Sequence, residues 1–83
     1  MYSMEKCENV IRNLFDEFED NCITVSDFDI HVNGARVDCL VLNDVDGSIG
    51  VWCGNPFEDD NCEELVLSYE ERENIYNEIM ELF

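Results

Sequence analysis

The stretch from residue 28 to residue 53 most constrains the fold, because its pattern is that of three strands joined by two tight turns. It reads FDIHV, NG, ARVDCLVLN, DVDG and SIGVWC. Asn33-Gly34 between alternating apolar runs predicts a hairpin turn, since both central positions of a type I′ turn need a positive φ. Asp46-Gly47 predicts a second turn, with Gly47 in the left-handed position of a bulged loop. The stretch therefore predicts a three-stranded antiparallel meander.

The register of this meander predicts which side chains share a face. A two-residue turn pairs Val32 with Ala35, and the pairing continues to Phe28 and Cys39 on a continuous apolar face. Ile49, Val51 and Cys53 join that core face if the second turn is bulged at Gly47. The opposite face then receives Asp29, His31, Arg36, Asp38, Leu40, Leu42 and Trp52. Trp52 is expected beside Leu40, either as a partly exposed contact point or beneath the connection that follows residue 53.

Helices are predicted on both sides of the meander. Ser3 is the expected N-cap of a helix over residues 4–19, whose apolar residues recur at spacings of three and four. Ser68 and Glu71 form a capping box for a second helix that ends near residue 82. Residues 22–25 can begin a further strand, with a bend near Ser26 and Asp27. The sequence predicts one α+β domain spanning residues 1–83, with both helices packed on one face of the sheet.

The net charge of the chain limits the classes of partner that it can bind. Twenty-one Asp and Glu residues stand against four Lys and Arg residues, a net charge of −17. Such a chain repels nucleic acids and anionic membranes, so the expected partner is a protein with a basic surface. The alternative is that the charge serves solubility alone. The candidate partner-binding residues are three acidic clusters and Trp52. The first cluster is Asp16, Glu17, Glu19 and Asp20, the second is Asp44 and Asp46, and the third is Glu58, Asp59, Asp60, Glu63 and Glu64.

No metal, cofactor or catalytic motif is expected. The five cysteines show no C-x-x-C spacing, and the chain starts without a secretory signal, which fits reduced thiols in a cytosolic protein. Asp44 and Asp46 resemble part of a calcium loop, but Leu42 and Cys53 stand where further ligands are required. Nothing in the spacing singles out a nucleophile or a carboxyl group in an apolar pocket, so the chain is not expected to be an enzyme.

A very small, strongly acidic α-β-β-β-α chain with reduced cysteines resembles the phage-encoded inhibitors of host defence nucleases. These are the anti-CRISPR proteins and related DNA mimics, and the resemblance covers the whole chain in size, charge and element order. It implies occlusion of a nucleic-acid-binding or PAM-binding surface of a CRISPR effector or similar complex, in the cytoplasm of a bacterial host. The alternative is an adaptor or homo-oligomer, such as a homodimer, that uses the Leu40/Trp52 face as an apolar interface.

Overall fold

The computed structural model describes residues 2–58 and 60–82. Within them a helix lies near each end of the chain, and the strands between the helices pair antiparallel. In chain order the elements are α1 (Met4–Phe18), β1 (Cys22–Thr24), β2 (His31–Val32), β3 (Ala35–Arg36), β4 (Cys39–Leu42), β5 (Ile49–Cys53), β6 (Glu63–Glu64) and α2 (Tyr69–Leu82). Four strands form one sheet in the order β1-β4-β5-β6, and β2 and β3 form a separate hairpin. The predicted α+β class is therefore confirmed.

Both ends of α1 are capped by residues at or next to the helix. The Ser3 hydroxyl accepts a hydrogen bond from the Lys6 backbone N–H at 3.2 Å, which confirms the predicted N-cap. At the other end Glu19 adopts the left-handed conformation, with φ of 51°. Its N–H donates to the Asp16 carbonyl, and the next N–H donates to the Phe15 carbonyl at 3.3 Å. This pair of bonds is a Schellman ending, in which glycine usually occupies the left-handed position.

Replacing Glu19 with glycine is expected to stabilise the fold. Glycine adopts a positive φ without the Cβ crowding that costs an L-residue about 1 kcal/mol. The free energy of unfolding should therefore rise by about that amount, measured by urea denaturation. Glu17→Gly is the matched control, because it removes the same charge inside the helix and should lower stability by about 1 kcal/mol. Equal losses in the two variants would contradict the argument.

The start of α2 is tied to the hairpin. Ser68 N–H donates to Glu71 at 3.0 Å and Glu71 N–H donates to the Ser68 hydroxyl at 3.2 Å, which confirms the capping box. The Asn33 side-chain amide also donates to the Glu71 carboxylate. Asn33 and Gly34 have φ of 50° and 81°, as the predicted Asn-Gly turn requires. One carboxylate thus joins the hairpin turn to the first turn of α2.

Both helices cover the same face of the sheet. Ile23, Leu40 and Val51 lie side by side on β1, β4 and β5, and all three are buried. They belong to a single core with the buried residues of α1 and α2. The helical members of this core are Cys7, Ile11, Phe15, Ile75, Tyr76 and Ile79.

The predicted faces of β4 were wrong. Cys39 is opposite Trp52 and Leu40 is opposite Val51, so Leu40 belongs to the core and Cys39 to the other face. The cause lies upstream, where a 3₁₀ turn over Ser26–Phe28 ends the extended chain and leaves Phe28 41% exposed. Thr24 on β1 therefore occupies the position opposite Cys39 that the sequence assigned to Phe28. A one-residue change of register moves every side chain of a strand to the other face.

Candidate functional site

Two arginines form hydrogen bonds that join the helices to the sheet. Arg12 on α1 donates from Nε to the Gly47 carbonyl at 2.9 Å. Arg72 on α2 donates to the Ile49 carbonyl at 2.7 Å and to the Tyr76 hydroxyl at 2.9 Å. Both guanidinium groups thus reach backbone carbonyls around the start of β5, where they satisfy acceptors between the helices and the sheet.

The remaining arginine and the lysine also have intramolecular partners. Arg36 Nε lies 2.6 Å from the carboxylate of Asp38, a buried residue, and this carboxylate also accepts the Gly54 N–H at 2.6 Å. Lys6 Nζ lies 4.8 Å from the ring centroid of Tyr2, within the range of a cation–π contact. All four Lys and Arg residues of the chain therefore have a partner within it.

Because the Lys and Arg side chains are bonded in this way, most carboxylates have no cationic partner among the described residues. Among the described residues, Glu8 and Asp38 are the acids that form an ion pair with an arginine. The Arg12–Glu8 pair is a partly exposed i,i+4 contact on α1, and such pairs stabilise a fold by only a few tenths of a kcal/mol. The other acidic side chains meet solvent without a Lys or Arg partner in the part of the chain that the structure describes.

Two of the predicted acidic clusters meet at one end of the sheet. The Asn21 side chain, which follows α1, donates to Asp44 at 2.7 Å, and the Leu42 N–H donates to the Asn21 carbonyl at 2.9 Å. These bonds join the end of α1 to the loop between β4 and β5. We call the resulting exposed set the helix-end cluster: Asp16, Glu17, Glu19, Asp20, Asp44 and Asp46.

Local hydrogen bonds order part of the helix-end cluster. Asp20 accepts the Cys22 N–H at 3.2 Å, and Asp46 accepts the Ser48 N–H at 2.9 Å. The bonds from Ser48 hold the pKa of Asp46 below its usual value, because they favour the charged carboxylate. The same bonds fix the position of the Asp46 carboxylate in the loop.

The third acidic cluster lies at the other end of the sheet. Cys53 ends β5 and is opposite Glu63 on β6, so the connection that carries Glu58 and Asp60 leaves the sheet at this end. Asp59 falls outside the described residues. A strand rises about 3.3 Å per residue, so the length of β5 separates this cluster from the helix-end cluster by roughly 13 Å. The predicted acidic residues thus lie toward both ends of the sheet. Glu64 on β6 lies between them, since it lines one pocket with Asp46 and Ser48.

Trp52 lies on the face of the sheet that the helices do not cover. It is opposite Cys39 on one side and Glu64 on the other, and its side chain is partly exposed. Glu58 and Thr24 line a shallow pocket with Cys39, so the connection after β5 approaches this face at that end. The apolar Leu40/Trp52 surface expected from the sequence does not exist, because Leu40 is 1% exposed in the core.

Cys22 and Cys39 are neighbours on this outer face. Burial, together with a hydrogen bond to the Cys39 thiol, raises the pKa of Cys22 to about 12. Burial also raises the pKa of Cys39. The sequence did not reveal this contact, because it depends on the pairing of β1 with β4 across the intervening hairpin.

All five cysteines should react as free thiols when a thiol reagent is added to the denatured protein. In the native protein Cys7 and Cys39, at 0% and 1% exposed, should resist alkylation, because the reagent needs an accessible thiolate. Cys22 should also react slowly at neutral pH, since its raised pKa keeps it protonated. Mass spectrometry after timed iodoacetamide treatment measures each rate, with unfolded protein as the control. Rapid native labelling of Cys22 would contradict this assignment.

Comparisons of the chain with family models, with curated proteins and with solved structures found no match. Within the described ranges, neither helix is long and apolar enough to cross a bilayer.

Proposed function

We propose that this protein is an inhibitor that occupies the basic nucleic-acid-binding surface of another protein by mimicking the charge of DNA. The observation that carries the proposal is the internal use of the cations. Arg12, Arg36 and Arg72 bond to groups of the protein itself, and Lys6 packs on Tyr2. The exposed carboxylates consequently present a field of one sign to a partner, as a phosphate backbone does.

The density of charge is comparable with that of a duplex. The protein measures 33 Å along its longest axis. B-DNA carries one negative charge per ~1.7 Å, so a duplex of the same length has about 20 phosphate charges. The chain has 21 acidic residues and a net charge of −17. A cleft built to bind about one turn of DNA therefore meets a similar total charge on this protein.

Carboxylates suit the residues that bind phosphates. Arginine forms two parallel hydrogen bonds with a carboxylate as readily as with a phosphate, so a basic cleft accepts either group. The resemblance to anti-CRISPR proteins points to a bacterial defence complex in the host cytoplasm as the partner. The alternative of an adaptor or homo-oligomer with an apolar sheet interface is weaker, because Leu40 is not available on that face.

The test is direct binding to purified CRISPR effector complexes, with and without target duplex DNA. Binding should be mutually exclusive with the duplex, and its affinity should fall steeply with salt concentration, as phosphate binding does. An unrelated acidic protein of similar net charge is the control for simple charge attraction. Binding that persists unchanged when the effector is saturated with duplex would contradict DNA mimicry.

The same charges should make the fold sensitive to salt. The Debye length falls from 30 Å at 0.01 M to about 3 Å at 1 M ionic strength, so salt screens repulsion between uncompensated carboxylates. The melting temperature should therefore rise by several degrees over that range. NaCl and KCl should have the same effect, because screening depends on ionic strength. A melting temperature independent of salt would show that the carboxylates do not repel one another appreciably.

A further inference from the structure

The outer face of the sheet contains a small polar and aromatic recess above Gly50. Val41 lies opposite Gly50 on β4, and Trp52 and Glu64 form a cross-strand pair on β5 and β6. A Cβ atom on Gly50 would lie 2.9 Å from Glu64 Oε1 and 3.0 Å from Trp52 Nε1. The absence of a side chain at Gly50 therefore lets a carboxylate and an indole approach the same point.

Neither group has a hydrogen-bond or ion-pair partner among residues 2–58 and 60–82. Glu64 is exposed and forms no ion pair within the described residues, while the structure records no acceptor for the Trp52 indole N–H. Ser48 and Asn43 line the same recess with Val41, which gives it an apolar floor and a polar rim. Because β6 is a two-residue edge strand, the recess is open at the side of the sheet.

We propose that this recess binds an arginine side chain of the partner, a proposal that rests on the function inferred above. Tryptophan is the best aromatic partner for a cation, and the planar guanidinium can pack on the indole while it donates to Glu64. Lysine offers a compact ammonium without the flat surface or the paired donors, so the recess favours arginine. Arg12 and Arg72 line an adjacent pocket with Glu64, but they donate to the backbone carbonyls of Gly47 and Ile49 and form no ion pair with Glu64. Arg36 is paired with Asp38.

The chain offers a site-specific probe, because Trp52 is its only tryptophan. The indole N–H resonance in a ¹H–¹⁵N NMR spectrum therefore reports on this recess alone. Titration with the tripeptide Gly-Arg-Gly, blocked at both ends, should shift that resonance saturably. The blocked Gly-Lys-Gly tripeptide has the same net charge and should shift it less at equal concentration.

Three variants separate the recess from the general negative field. Glu64→Gln should weaken binding of the arginine peptide about fivefold, the size expected of an exposed cation contact. Glu63→Gln removes the same charge from the neighbouring position of β6 and should change binding little. Gly50→Ala retains every charge but places a Cβ against Glu64 and Trp52, so it should abolish the preference for arginine over lysine. The unchanged fold of each variant is checked from the remaining amide resonances.

Equal responses to the arginine and lysine peptides, or equal losses from Glu64→Gln and Glu63→Gln, would refute the recess. These outcomes leave the proposed inhibitor function standing if binding to an effector still competes with duplex DNA. Conversely, a selective response to the arginine peptide without any competition would support the recess and refute DNA mimicry. The two proposals therefore fail in distinguishable ways.

Discussion

Replacing Asp16 and Glu17 together with lysine is expected to weaken partner binding about a hundredfold at low salt, because two attractive contacts become repulsive. Both residues are exposed at the end of α1, and the structure records no hydrogen bond to either carboxylate. The same change should raise stability, since lysine near a helix C-terminus interacts favourably with the macrodipole by about 0.3–1 kcal/mol per residue. Affinity and melting temperature should thus change in opposite directions.

The matched control is the double replacement of Glu78 and Glu81 with lysine. These acids lie near the end of α2, so this variant makes the same change in net charge and also relieves a helix dipole. It should reduce affinity only by weakening the long-range attraction, an effect that salt removes. Equal losses in the two variants would show that the helix-end cluster is not the contact surface. The corresponding test at Glu58 and Asp60 would then examine the other end of the sheet.

Replacing Asp38 with alanine is expected to lower the free energy of unfolding by about 2–3 kcal/mol. The Asp38 side chain is 12% exposed and accepts hydrogen bonds from Arg36 and from the Gly54 N–H, both at 2.6 Å. Its removal leaves the Gly54 N–H without this acceptor where the chain leaves β5. For a domain of this size the melting temperature should fall by roughly 10–20 °C.

Two controls separate the buried contacts of Asp38 from a general effect of charge. Asp38→Asn retains an acceptor for the Gly54 N–H but weakens the bond to Arg36, so it should lose less stability than alanine. Asp46→Ala removes one charge and one solvent-exposed hydrogen bond from the Ser48 N–H, and it should lose less stability than either variant of Asp38. A melting temperature of Asp38→Ala within a few degrees of the parent would contradict the role assigned to this carboxylate.

The features predicted correctly from the sequence are local. The Asn33-Gly34 turn, the Ser3 cap and the Ser68–Glu71 capping box each depend on a few consecutive residues and on their own backbone geometry. The bend near Ser26 was also expected, and it is the 3₁₀ turn that follows β1. Such signals need no knowledge of distant parts of the chain.

The features that the sequence did not reveal depend on pairings between distant segments. β1 is paired with β4 across the whole intervening hairpin, and that pairing decides which face of the sheet Leu40 and Cys39 occupy. Alternation along β4 cannot distinguish the two registers, because residues 39–42 are apolar on both faces. The meeting of Asp44 with the end of α1 has the same origin, since it depends on where the loop after β4 packs.

The carboxylate shared by the hairpin turn and α2 makes local order depend on protonation. Hydrogen bonds from Ser68, with a further one from Asn33, hold the pKa of Glu71 below its usual value. A group whose pKa is lower in the folded state contributes its stability fully above its unfolded pKa and loses it as pH falls through the folded value. Acidification therefore has two opposing consequences in this protein. It relieves repulsion over the whole surface, while it releases the bonds through which Glu71 joins the hairpin to the second helix.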